Sequence, residues 1–169
     1  MPGESSQPTL HSVQVTVNGQ PRSVSVEARA TVADLLRDAC RLTGTHLGCE
    51  HGVCGACTVL MDGDPVRSCL VLAVQAEGST VTSIEGLGSP ENMSPVQQGC
   101  MQAMSFQCGF CTPGFLIAIT AFLEERKTAP NAAVVPSDEE IREALSGNLC
   151  RCTGYQSIVA GVVKAWELS

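Results

Sequence analysis

Apolar and polar residues alternate from Val13 through Val15 to Val17, and the alternation resumes at Val24 and Val26 beyond Asn18-Gly19. A period of two on both sides of an Asn-Gly pair predicts a β-hairpin. The period then lengthens. Leu35, Leu36, Ala39, Cys40 and Leu42 share one helical face, with Thr31 as N-cap, Asp34 in the first turn and Gly44 as terminator. Cys40 reads as plain core. Thr58-Val59-Leu60-Met61 and Val66-Arg67-Ser68, joined through Asp62-Gly63-Asp64-Pro65, predict a second hairpin, and Thr80 to Ile84 a short further strand. Hairpin, helix, loop and later strands make an α+β unit with a mixed sheet.

Beyond Glu85 the pattern changes class. Glu85-Gly86-Leu87-Gly88-Ser89-Pro90-Glu91-Asn92 has the composition of a boundary. Residues 11–85 are thus expected to form one domain, 86–93 a linker and 94–169 a second domain. Ser94-Pro95-Val96-Gln97 combines an N-cap, a proline at the first helical position and a capping-box glutamine, predicting a helix to about Phe106. Thr112-Pro113 opens a second helix, apolar enough to be buried, that ends near Arg126-Lys127. Ser137-Asp138-Glu139-Glu140 opens a third that runs to Leu145, and a fourth spans about Gln156 to Trp166. Thr128 to Pro136 reads as a surface loop. Four helices with short connections predict a small helical domain. Residues 1–10, polar with two prolines, predict a disordered N-terminus.

Length and charge narrow the class. A chain of 169 residues that is 44% hydrophobic can bury one core or two small ones. A net charge of −7 argues against a nucleic-acid partner, and no apolar run approaches a membrane span. The N-terminus shows no basic region, apolar core or twin arginine, so ten cysteines point to a reducing cytoplasm in which thiols are metal ligands or core residues.

The cysteines carry the chemistry. Cys49, Cys54 and Cys57 are spaced C-x4-C-x2-C within Gly48-Cys49-Glu50-His51-Gly52-Val53-Cys54-Gly55-Ala56-Cys57, and Cys69 follows at the foot of the expected hairpin. This is the ligand spacing of a plant-type [2Fe-2S] cluster. Four thiolates must converge on a small anionic core while backbone N–H groups turn toward its sulfurs, and Gly48, Gly52 and Gly55 permit such wrapping. A disulfide framework does not suit this compartment. Structural zinc would suit Cys54 and Cys57, but no second C-x2-C lies at zinc-ribbon distance. Cys49-Glu50-His51 begins like a Rieske ligand set, yet Cys57 stands where that pattern needs histidine, which leaves His51 a polar loop residue.

A second constellation lies in the helical half. Cys108 and Cys111, spaced C-x2-C, and Cys150 and Cys152, spaced C-x-C, sit at two bends between helices that could meet on one metal centre. Spacing alone fits zinc or iron–sulfur equally. Helix starts just after Cys111 and Cys152 would favour an anionic centre, and Gly109 and Gly154 suggest tight wrapping. Cys100 lies outside both motifs and reads as core.

Taken in order, GCEHGVCGAC, QCGFCTPG and GNLCRCTGY resemble the iron–sulfur small subunits, or N-terminal domains, of the molybdenum hydroxylase (xanthine dehydrogenase) family, over about residues 11–167. The resemblance implies a plant-type ferredoxin-like β-grasp domain with one [2Fe-2S] cluster on Cys49, Cys54, Cys57 and Cys69. It implies a following four-helix-bundle domain with a second cluster on Cys108, Cys111, Cys150 and Cys152. It also implies a large subunit with a molybdopterin cofactor beside the second cluster and a medium FAD subunit facing the first, in a dimer of heterotrimers. Gln107 would hydrogen-bond the pterin, and Cys152 would be the nearest ligand. The implied role is a relay: two electrons left at molybdenum by hydroxylation of a C–H bond pass singly through the clusters to the flavin. A freestanding two-cluster carrier and a zinc-stabilised interaction module remain as other readings, and the substrate is not written in this chain.

Overall fold

The computed structural model of the chain describes residues 9–130 and 133–169. Most of the expected disordered N-terminus lies outside these residues, but Leu10, counted within it, already opens the first strand. Asn131 and Ala132 of the expected Thr128–Pro136 loop also lie outside.

Strands β1 (Leu10–Val17) and β2 (Gln20–Glu27) form the expected hairpin, with Asn18 and Gly19 both left-handed (φ 49° and 75°) as a tight turn of that twist requires. Val13, Val15 and Val17 are buried, so the alternation marks the core face. The helix after Thr31 forms with its capping box, the Thr31 hydroxyl accepting from the Asp34 N–H and the Asp34 carboxylate from the Thr31 N–H. It is shorter than expected. α1 (Val32–Asp34) passes into a π-helical turn (Leu35–Ala39), and Arg41 turns left-handed (φ 61°), so the chain leaves the helix before Gly44. Arg37 covers this exit by donating to the carbonyls of Thr43 and Thr45.

β3 (Thr58–Met61) and β4 (Asp64–Arg67) make the second hairpin through a left-handed Asp62-Gly63 pair. Pro65 falls in β4, an edge strand, where a missing N–H is tolerated. β5 (Thr80–Thr82) is shorter than expected because Ile84–Gly86 coils into a 3₁₀ turn. The sheet order is β2-β1-β5-β3-β4, with β5 parallel to β1 and antiparallel to β3, a mixed sheet as expected. Its buried face packs on Val32, Leu35, Leu36, Ala73 and Ala76.

The second half holds α2 (Pro95–Gln102), α3 (Thr112–Thr128), α4 (Asp138–Ala144) and α5 (Gln156–Glu167). α2 ends earlier than the sequence suggested because Met104 takes a left-handed φ of 48° and Ser105 turns inward to bond the Ser157 carbonyl. α2 and α5 cross at Gly99 and Gly161, where a Cβ on Gly99 would stand 2.7 Å from the Gly161 carbonyl oxygen. Phe115, Ile119, Leu123, Ile141, Ile158 and Val162 fill the core between the helices. Burial does most of the holding. Each such side chain contributes about 1.5–3 kcal/mol, whereas an exposed pair such as Arg29–Glu27 contributes ~0–1 kcal/mol.

The first turn of α3 lies directly on the first cysteine loop. A Cβ on Gly114 would overlap the Gly55 carbonyl and stand 3.0 Å from the Ala56 Cα. Gly114→Ala is therefore expected to destabilise the folded chain by about 1–3 kcal/mol through overpacking. Urea unfolding of the cluster-loaded protein checks this, and an unchanged midpoint would show that the halves do not pack through this seam.

Candidate metal centres

The first cysteine loop hangs between the π-helical turn and β3, and its shape is set by backbone conformation. Glu50, Gly52 and Gly55 are left-handed (φ 55°, 84° and 74°), and the Cys54 N–H donates to the Cys49 sulfur at 3.4 Å. Gly48 is needed for space instead, since its Cβ would meet the Cys54 sulfur and the Phe110 ring, each at 3.2 Å. Cys69 arrives from the foot of β4, as the hairpin predicted; Ser68, just before it, is buried and donates to the Cys57 carbonyl at 2.7 Å.

The four thiols gather as two pairs. Cys49 lies within hydrogen-bonding reach of Cys54, and Cys69 of Cys57. Backbone N–H groups of His51 and Cys54 hold the Cys49 thiol down at about 6, so it is readily a thiolate. Burial, then the Cys57 thiol, pushes Cys69 up to about 11. His51 is exposed, and its ring N–H donates to the Cys49 carbonyl, so its imidazole braces the loop.

The second set repeats this plan. Cys111 is the N-cap of α3 and pairs with Cys150, while Cys152 pairs with Cys108. Burial, then Cys150, pushes Cys111 up to about 12; burial also opposes ionisation of Cys150, but donors from Thr153 and the Cys152 backbone outweigh it and lower its value. The Thr153 hydroxyl lies 3.2 Å from the Cys150 sulfur, and the Cys150 N–H donates to the Tyr155 hydroxyl at 3.0 Å. One expectation changes. Cys152 does not sit at a helix start, because left-handed Tyr155 caps α5 and the helix begins at Gln156. Gly109 and Gly154 are left-handed with open space where a Cβ would be, so conformation and not crowding selects them.

This two-by-two grouping tests the metal. Tetrahedral zinc needs its ligands converging on one point, and among the described residues no three His, Cys, Asp or Glu side chains converge to hold a single ion. A binuclear cluster needs two thiolates per iron, which both sets supply. The buried Thr112 hydroxyl, next to Cys111, has no partner within the chain, as expected where a cluster sulfur would complete the site. Cys40 and Cys100 lie apart from both sets, Cys100 fully within the helical core and Cys40 packed at the edge of the other.

The sets differ in exposure. Cys57 and Cys69 are buried, with Cys49 and Cys54 half-buried; Cys108 and Cys152 are exposed beside exposed Gln107. Sequence reasoning missed what joins the two loops: Arg67, Asn148 and the stack of His46 on Phe110, centroids 5.0 Å apart, with the His46 ring N–H donating to the Phe110 carbonyl. Asn148 lay in a motif already singled out, but its partners are more than 80 residues away in the chain.

Residues 15–83 match the family described as a 2Fe-2S iron–sulfur cluster binding domain, and residues 83–163 the [2Fe-2S] binding domain. The chain is 53% identical to the nicotine 6-hydroxylase small subunit of Paenarthrobacter nicotinovorans, over 90% of this chain and 88% of that one. It is 51% identical to caffeine dehydrogenase subunit gamma of a Pseudomonas strain, over 90% and 89%. A chain of quinoline 2-oxidoreductase from Pseudomonas putida 86 superposes with a TM-score of 0.86 at 46% identity, covering 94% of each. Its two cysteine sets, its two matched regions and its near full-length relatives together identify this chain as a member of the two-[2Fe-2S] iron–sulfur small subunits of the molybdenum hydroxylase family, the electron-transfer subunits of these oxidoreductases.

Proposed function

We propose that this chain carries electrons singly from a large molybdopterin-binding subunit to a medium FAD-binding subunit, in a cytoplasmic dimer of heterotrimers. Two sets of four cysteines, one within each matched [2Fe-2S] region, are the observation that carries this reading. Residues 11–85 would be the β-grasp ferredoxin-like domain, 86–93 the linker and 94–169 the four-helix-bundle domain. Cys49 and Cys54 would hold one iron of the first cluster, with Cys57 and Cys69 on the other. Cys108 and Cys152, with Cys111 and Cys150, would divide the second cluster likewise. Each cluster supplies one-electron redox chemistry, which lets a two-electron oxidation feed a flavin stepwise.

The chain's own residues do the holding and tuning. Exposed Cys108, Cys152 and Gln107 form the rim offered to the molybdopterin, where the Gln107 amide would hydrogen-bond the pterin. Val53 and Leu70, both more than half exposed, border the Cys49 side of the first loop and suit an apolar contact with the flavin subunit. Backbone donors at Cys49, and the Thr112 hydroxyl if it donates to a cluster sulfur, would stabilise added negative charge and so raise the potentials of bound clusters. Nicotine, caffeine and quinoline, named in three similar proteins, are all N-heterocycles, which supports an N-heteroaromatic substrate for the assembled enzyme. Among the described residues no helix is long and apolar enough to cross a membrane.

The complex purified natively through a tag on this chain is expected to contain four irons per chain with molybdenum and flavin; iron alone would favour a freestanding carrier, and zinc would overturn both. Cys54→Ser should abolish the first cluster and flavin reduction while substrate still reduces molybdenum, as rapid-mixing spectra would reveal; intact flavin reduction refutes the relay order. Gln107→Ala should weaken assembly or slow reduction of the second cluster, and unchanged rates in an unchanged complex would remove it from the pterin site. Thr112→Val should keep the iron content but lower the second cluster's potential by on the order of tens of millivolts. An unshifted redox titration would return that hydroxyl to a packing role.

A further inference from the structure

The two cysteine loops are locked together by a small polar clamp. Arg67, at the end of β4, donates to the Thr58 hydroxyl at 2.6 Å within its own half. Its other terminal nitrogen reaches across to the Gly147 carbonyl at 2.5 Å, with the Asn148 side-chain oxygen at 3.4 Å. Asn148 is 3% exposed and returns the contact, its side-chain N–H donating to the Gly55 carbonyl at 3.0 Å. Space enforces the fit: a Cβ on Gly55 would lie 2.6 Å from the Gly147 oxygen, and one on Gly147 would lie 2.5 Å from the Arg67 guanidinium. Within this clamp the Leu149 N–H donates to the Cys54 carbonyl at 2.9 Å. Cys54 belongs to the first thiol set, and Leu149 directly precedes Cys150 of the second.

We infer that Arg67 and Asn148 are positioning residues for electron transfer between the clusters, clamping Gly147–Leu149 onto Cys54–Thr58 so that the Leu149 N–H···O=C Cys54 bond links the two ligand sets. The inference rests on the reading that the eight cysteines hold two [2Fe-2S] clusters. One electron passes from the reduced second cluster to the oxidised first; no bond forms or breaks and no further reactant is needed. A planar guanidinium suits the task because its fork serves both halves at once. Buried donors and acceptors at the seam are costly to leave unpaired, so the clamp holds a single geometry.

The test uses the assembled holoenzyme, comparing wild type with Arg67→Met and Arg67→Lys. Iron per chain, low-temperature EPR of the two reduced clusters and rapid freeze-quench rates for each cluster are read together. Arg67→Met is expected to retain four irons, to weaken the magnetic interaction between the reduced clusters, and to slow first-cluster reduction by about tenfold while second-cluster reduction by substrate is unchanged. Arg67→Lys keeps the charge but loses the fork, and should fall between the two. A loaded variant with wild-type interaction and wild-type intercluster rate would overturn the inference, even if its thermal stability had dropped. Should Arg67→Met fail to load iron, Arg67→Lys decides alone: slowed intercluster transfer supports the clamp, and an unchanged rate rejects it. Wild-type complex lacking two [2Fe-2S] signals would instead sink the cluster reading itself, and the clamp with it.

Discussion

Bringing four thiols to one small site is the constraint on which the rest of this chain depends. Buried thiols resist ionisation, as the upward displacement of Cys69 and Cys111 shows, and neighbouring thiolates repel one another. Such a group is satisfied by a bound metal centre, inward-facing N–H donors and a backbone bent tightly enough to aim them. The left-handed residues Glu50, Gly52 and Gly55 in one loop, and Gly109, Gly154 and Tyr155 in the other, perform that bending. The sheet and the helices around them act as rigid posts that fix where each loop begins and ends.

The two sites solve the problem with different materials. In the first half, a hairpin carries Cys69 back to a loop that already holds three ligands, so only one element must return. In the second, no single segment holds more than two ligands, and the bends before α3 and before α5 have to meet. Packing of α2, α3 and α5 around Phe115 and Ile158, with the close crossing at Gly99 and Gly161, brings them together. Cluster geometry there is thus a property of the whole helical core. Exposure differs between the two: Cys108 and Cys152 of the second set are exposed, and Cys57 and Cys69 of the first are buried.

Much of this was legible from residue order. Both hairpins, the caps at Thr31, Ser94 and Ser137, and the buried character of α3 follow from periodicity and local hydrogen bonding, which act over a few residues. The places where local reading failed are those where distant contacts override propensity. The helix after Thr31 stops at Ala39 because Arg37 and Arg41 redirect the chain toward the cysteine loop, and α2 stops at Gln102 because Ser105 is drawn onto α5.

By itself the sequence determined the eight cysteines, their division into two sets and the class of each half, because ligand spacing and hydrophobic period are properties of the chain as written. Only the tertiary structure decided that the thiols pair Cys49 with Cys54, Cys57 with Cys69, Cys108 with Cys152 and Cys111 with Cys150. It alone decided that the loops interlock through Arg67, Asn148 and the Leu149–Cys54 hydrogen bond. The reason is separation: Arg67 and Asn148 are 81 positions apart, and no local pattern encodes a bond whose two ends are brought together only by the packing of α3 against β3.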